Sequence, residues 1–147
     1  AASGVNCTAC HAAGGEWMDR PGYESCEGCH RNEWAGFVRG RHGMRLDTAR
    51  LGMDLGPMSP ADSRLPMTQE ASSVRLDCGS CHGPHRFDTT YAAVEACLGC
   101  HADVHSLAYS ESPHHELVVS AREGTLPAQA GVTCATCHGP GAAAGGP

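Results

Sequence analysis

The 147-residue sequence predicts a fold of short α-helices and irregular loops, with little or no β-structure. Three observations carry that expectation. Nineteen glycines and nine prolines cut against long regular elements. Only seven residues are aromatic, so side chains alone supply little bulk for a core. All ten cysteines fall into five copies of one pattern, Cys-x-x-Cys-His, starting at Cys7, Cys26, Cys78, Cys97 and Cys134.

That pattern has a specific chemistry. Paired thiols (Cys7 with Cys10, Cys26 with Cys29, Cys78 with Cys81, Cys97 with Cys100, Cys134 with Cys137) suit thioether formation with porphyrin vinyl groups. The next imidazole (His11, His30, His82, His101 and His138) then turns over the same face as proximal iron ligand. Zinc held by four thiolates needs Cys-x-x-Cys pairs taken in twos, and five pairs cannot be so divided. A disulfide framework has no use for the repeated histidine. Five haem c groups are therefore expected, and they would supply the apolar bulk that the composition lacks. With these motifs the chain resembles the multihaem c-type cytochromes over nearly its whole length, a resemblance that implies helices and loops packed around haems and an exported, periplasmic or extracellular protein.

The 16 acidic residues outnumber the 10 basic ones, and the formal charge of -6 disfavours nucleic acid as a partner. Every basic residue is arginine. The absence of lysine removes a lysine haem ligand or catalytic acid, while arginine forks suit propionate carboxylates as well as solvent. No run of about eighteen apolar residues exists, so no membrane span is expected. The opening Ala1-Ala2-Ser3 fits a mature start left by small-residue cleavage.

A single haem-packed domain over 1–147 is expected, with an internal duplication. Cys7 to Cys26 and Cys78 to Cys97 are both 19 residues, and the histidines of Gly40-Arg41-His42 and Ser112-Pro113-His114 recur at a displacement of 72. Two-haem modules are thus read at about 1–45 and 78–124, a connection at 46–77, a fifth motif at 134–138 and a flexible tail at 139–147.

Within these modules, Glu33 to Arg39 reads as a short helix ended by Gly40 and Gly43. Trp34 and Phe37 share one face of it, against a porphyrin or in ordinary core contact. Gly52, Gly56, Pro57, Pro60 and Pro66 make 46–77 an irregular connection suited to wrapping haem edges. Thr89 and Thr90 are expected to cap a helix through Tyr91 to Ala96. A better signalled helix has Ser112 at its cap, Pro113 first, His114 to Glu123 in its body and Gly124 at its stop, with His114, Leu117, Val118 and Ala121 on one face.

Beyond the five proximal histidines remain five more: His42, His85, His105, His114 and His115. A haem with two imidazole ligands is closed to substrate and suited to electron transfer. His85 follows His82 by three residues and His105 follows His101 by four, links too short to reach the far face of the same haem. Each is expected to serve a neighbouring haem. His115 lies about 100° round its helix from His114, so the two cannot address one iron. The fifth distal position is therefore open between His115, a methionine (Met53, Met58 or Met67), another chain and none.

Ser112 to His114, followed by Gly131 to His138, also resembles the octahaem cytochromes related to hydroxylamine oxidoreductase and tetrathionate reductase. That family implies a helical, loop-rich, haem-packed fold and, in some members, nitrogen or sulfur redox enzymology. This chain has five motifs rather than eight. The expected function is electron transfer along a row of five haems, in a multi-subunit assembly or an extracellular filament, with redox proteins or copies of itself as partners and a homopolymer as one form. The alternative is a small reductase of nitrite, hydroxylamine or a sulfur oxyanion at one open haem, with His115 and Arg122 as distal donors. Chain made without haem should be largely unfolded, which far-ultraviolet circular dichroism of such material checks.

Overall fold

The structure, a computed structural model, describes residues 5–12, 14–46, 48–53, 55–57, 59–72 and 74–139. Short helices dominate, and the one β-pairing among the described residues is an isolated antiparallel bridge between Met67 and His101. The chain divides into two compact units, Ala1–Gly56 with Leu76–Phe87, and Pro57–Arg75 with Asp88–Pro147. The first unit holds three Cys-x-x-Cys-His segments and the second holds two. The 78–124 repeat is thus split between units, and the sequence period is not the packing unit.

In the first unit, α1 (Cys7–His11) begins where extended Asn6 accepts the Ala9 N–H on its side-chain oxygen at 3.1 Å. Helix α2 (Glu24–Glu27) leads through Gly28 and Cys29 to α3 (Arg31–Arg39). Trp34 of α3 stacks on Tyr23, centroids 4.6 Å apart and planes 4° apart, and lies 6.3 Å from Phe37. Trp34 and Phe37 thus lie together on one face of α3, as their spacing suggests. Gly40 ends α3, and buried Gly43 opens a 3-10 turn, Gly43–Leu46. A side chain at Gly43 would collide with the Phe37 carbonyl, so glycine permits the close return of the chain onto α3.

Arg45 donates to the carbonyls of Leu55 (2.8 Å) and Gly56 (3.1 Å) and so gathers the loop after α4 (Thr48–Leu51). Helix α5 (Cys78–His82) starts with a capping box, the Asp77 carboxylate accepting from Ser80 N–H at 2.9 Å while the Ser80 hydroxyl accepts the Asp77 N–H. Gly83, His85 and Phe87 then all take positive φ, +65°, +64° and +46°.

In the second unit, the connection between repeats forms two 3-10 turns, Pro60–Asp62 and Gln69–Ala71. Together with α4, these turns mean that glycine and proline shorten the connection's helices without abolishing them. Pro66 to Thr68 lies along the fourth motif: Ala102 N–H donates to the Pro66 carbonyl (3.0 Å), Thr68 N–H to Cys100 (2.9 Å) and the Thr68 hydroxyl to Gly99 (2.9 Å).

Helix α6 (Thr89–Ala93) is capped by Asp88, whose carboxylate accepts from Thr90 and Tyr91 N–H at 2.9 and 3.0 Å. This corrects the expectation of a threonine cap and one helix through Ala96. The β-branched Val94, 2% exposed, leaves helical geometry at φ -137° as it turns into the core, and α7 (Glu95–Leu98) starts after it.

Asp103 caps α8 (Val104–Ala108), and Ser112 caps α9 (Pro113–Arg122) by accepting the His115 N–H. Gly124, at φ +77°, stops the chain just past α9. Val118 is the buried residue of α9, with Leu117 and Ala121 half-buried, but His114 is exposed and His115 is the half-buried histidine. Leu117, Val118 and Ala121 turn inward as expected, and only the histidine differs: His115, not His114, joins them, edge-on against Tyr109 with centroids 5.5 Å apart. Helix α10 (Cys134–His138) begins with a second capping box, Thr133 with Thr136.

The protein core is small. Among the described residues the buried hydrophobics are Leu46, Ala71, Val94 and Val118, none aromatic, while Trp17, Phe87, Val104 and Leu107 are exposed. Gly43→Ala should lower the stability of the native protein by about 1–3 kcal/mol through forced displacement of the α3 end, measurable as a fall in the denaturant midpoint.

Candidate functional site

A single turn of helix places residues i, i+3 and i+4 on one side. In a Cys-x-x-Cys-His segment these are both thiols and the imidazole. The chain builds that turn in two ways. Helices α1, α5 and α10 coincide with their motifs, each started by a polar residue just before the first cysteine (Asn6, Asp77, Thr133) that holds the N–H of the residue just before the second (Ala9, Ser80, Thr136). In the second and fourth motifs the helix, α2 or α7, starts two residues before the first cysteine, and its glycine cap, Gly28 or Gly99, lies inside the motif. There the histidine N–H returns to the first cysteine's carbonyl, His30 to Cys26 and His101 to Cys97, both at 2.9 Å. Local structure thus repeats with the sequence duplication, even though packing does not.

None of the ten cysteines is joined in a disulfide. Cys7, Cys29 and Cys137 are exposed and the other seven half-buried. In the first unit the Cys26 thiol meets Cys78, so the second and third motifs adjoin; burial and then the Cys78 sulfur push the Cys26 thiol up to about 11. In the second unit Cys97 and Cys134 share a hydrogen bond, so the fourth and fifth motifs adjoin in the same way, and burial raises Cys134.

The histidines fall into distinct settings. His11 is held twice: its Nδ1 donates to the Met18 carbonyl at 2.7 Å, and Trp17 stacks on the ring at 4.7 Å. Such a bond leaves Nε2 available to a metal and orients the ring. Neither Trp17 nor Met18 was singled out from the sequence, where the only available signal was that Trp17 is one of two tryptophans.

His85 sits 5.9 Å from His11, centroid to centroid, with planes 29° apart. His105 sits 6.3 Å from His138, with planes 82° apart. Each of the two histidines expected to cross to another motif therefore lies beside the histidine of one. His30 Nδ1 is 3.9 Å from Glu33, and His101 Nδ1 is 4.0 Å from Asp103, whose carboxyl is held low by the Ser106 hydroxyl and N–H. His42 is exposed in the turn after α3, His82 ends α5, and His114 is exposed on α9.

Of the three methionines weighed as ligands, Met53 is exposed, Met58 lies outside the described residues, and Met67 is half-buried. Met67 pairs with His101 across the β-bridge. Bridge partners have α-carbons about 5 Å apart, too close to reach one metal from opposite sides.

Arg122, a donor in the reductase alternative, is committed elsewhere. Its Nη2 donates to Glu95 Oε2 (3.0 Å) and to the Thr90 carbonyl (3.2 Å), and its Nη1 donates to Glu95 Oε1. His115 packs on Tyr109, whose hydroxyl donates to the Val132 carbonyl at 2.9 Å just before the fifth motif. Among the described residues no three His, Cys, Asp or Glu side chains gather as a metal-holding group.

The Arg122 fork holds the Glu95 carboxyl below the usual carboxylate range. A carboxyl depressed by folding stabilises the protein above its unfolded pKa, and that share is lost as pH falls through the folded value. Glu95→Gln should therefore cost less than about 1 kcal/mol near neutrality for so exposed a pair. The difference from the native protein should vanish in acid, as read from denaturant midpoints across pH.

Searches of family profiles, characterised proteins and solved structures found no match to this chain.

Proposed function

We propose that the chain binds five haem c groups and passes electrons along them, as part of a multi-subunit redox assembly or as the repeating subunit of an extracellular cytochrome filament. The observation that carries this is the fivefold recurrence of one tight turn, three times a helix and twice closed by the histidine N–H on the first cysteine's carbonyl, that carries two thiols and an imidazole and accounts for every cysteine. A zinc site of four thiolates, or a disulfide, would have no use for the third group at each turn.

The residues fit such a cofactor in other respects. A porphyrin supplies four of the six iron ligands, so the protein need bring only two imidazoles to each metal. Two pairs of histidines lie with ring centres 5.9 and 6.3 Å apart, and among the described residues no three His, Cys, Asp or Glu gather as a metal-holding group. The small core and the exposed Trp17, Phe87, Val104 and Leu107 leave apolar surface for macrocycles to cover. Bound iron with two imidazole ligands supplies one-electron transfer without substrate binding.

The protein's part is then to hold the rings, exclude water from their edges and set their spacing. Asn6, Asp77 and Thr133 start the turns; Met18 and Trp17 orient His11; the Pro66–Thr68 strap steadies the fourth motif. Close approach of the second to the third motif, and of the fourth to the fifth, suits hopping between neighbours.

The motifs carry the resemblance to multihaem c-type cytochromes and, with it, an exported location and partners that are redox proteins or copies of this chain. Among the described residues no helix is long and apolar enough to cross a membrane. The reductase alternative draws no support from Arg122, which is tied to Glu95. Native protein should be red, carry the mass of five porphyrins and take up five electrons in a redox titration. Colourless protein, or a mass short of five porphyrins, would overturn the assignment.

A further inference from the structure

Given the five-haem reading, the geometry points to a specific exchange of distal ligands between motifs: His85, which follows the third motif, binds the iron of the first, and His105, which follows the fourth, binds the iron of the fifth. Two imidazoles on opposite sides of one metal have nitrogens about 2 Å from it, and each ring centre lies about 1 Å beyond its nitrogen, giving centroids about 6 Å apart. The His11–His85 and His105–His138 separations are 5.9 and 6.3 Å. Each pair lies within a single compact unit, His11–His85 in the first and His105–His138 in the second, and each joins a motif histidine to a histidine that follows a different motif.

Independent features of the chain support each pair. His85 is held at φ +64°, in the left-handed region that L residues other than asparagine, aspartate and histidine seldom enter. With Gly83 at +65° and Phe87 at +46°, it forms a turn that sends the chain back from α5 within the first unit, and backbone held so far from its usual range clusters at functional sites. On the other side of the pair, the Met18 carbonyl takes the Nδ1 proton of His11 and leaves Nε2 for the metal. His105 projects from the first turn of α8 beside exposed Val104 and Leu107, apolar surface that a macrocycle between His105 and His138 would cover.

The two pairs also predict different spectra. Imidazole planes 82° apart leave the iron orbitals that π-bond to them nearly equal in energy, which gives a strongly anisotropic low-spin resonance. Planes 29° apart split those orbitals and give an ordinary rhombic one. The native protein should show both kinds by electron paramagnetic resonance, and absence of the strongly anisotropic signal would count against His105–His138.

The variants His85→Asn, which keeps a residue tolerant of the left-handed backbone, and His105→Gln test the ligands directly. Each should retain five porphyrins by mass, convert one haem in five to high spin, and return to low spin on addition of free imidazole. His85→Asn should remove a rhombic signal and His105→Gln the strongly anisotropic one. In a Cys7→Ala, Cys10→Ala background, which lacks the first haem, His85→Asn should add no high-spin signal. The same holds for His105→Gln in a Cys134→Ala, Cys137→Ala background. Variants with five low-spin haems, or high-spin signals that persist in those backgrounds, would overturn the ligand exchange while leaving the haem count intact. Native protein without porphyrin would instead strike the five-haem reading itself.

Discussion

The structure depends on one short constraint, the return of the chain through a single helical turn within each Cys-x-x-Cys-His segment. It brings residues i, i+3 and i+4 to one side, and nothing longer than five residues is needed to achieve it. Helices so short are unstable alone, which explains the care spent on their starts. Asn6, Asp77 and Thr133 each satisfy an N–H that a five-residue helix would otherwise leave unpaired. Where no such cap exists, in the second and fourth motifs, the helix begins earlier and the histidine N–H closes the turn on the first cysteine.

The second governing fact is how little the chain buries. A domain of this length normally hides a larger set of aliphatic and aromatic side chains. Here the buried hydrophobics among the described residues are Leu46, Ala71, Val94 and Val118. Aromatic residues are used locally instead: Trp17 on His11, Tyr23 on Trp34, Tyr109 on His115. Such contacts orient individual rings without forming an interior, as suits a polypeptide that serves as a shell for larger apolar groups. On the proposed function, the cofactors are the interior.

Repeat and packing unit do not coincide, and this has a functional bearing. The duplication is visible in local structure, where the first motif resembles the third and the second the fourth. Yet the third motif belongs with the first two, and the fourth with the fifth. Contacts between thiols, Cys26 with Cys78 and Cys97 with Cys134, join motifs across the repeat boundary. On the proposed function, the second and third motifs, and the fourth and fifth, would each supply a pair of neighbouring haems not drawn from a single repeat.

Much was determined by the sequence alone, because it is written in short-range chemistry. The absence of extended strands among the described residues, the α3 helix, the Ser112–Pro113 start and Gly124 stop of α9, and the ten thiols with their adjacent imidazoles all depend on residues within one or two turns of each other. The reach of three or four residues also pointed His85 and His105 away from their own motifs, and each ring does lie beside the histidine of another. Only tertiary structure decided which motif each one meets, that His115 rather than His114 turns inward, that Asp88 rather than a threonine starts α6, and that Trp17 and the Met18 carbonyl hold His11. These are choices among partners of similar local merit. They are settled by competition for the same few buried positions and hydrogen-bond donors, a competition between residues distant in the chain that no local pattern records.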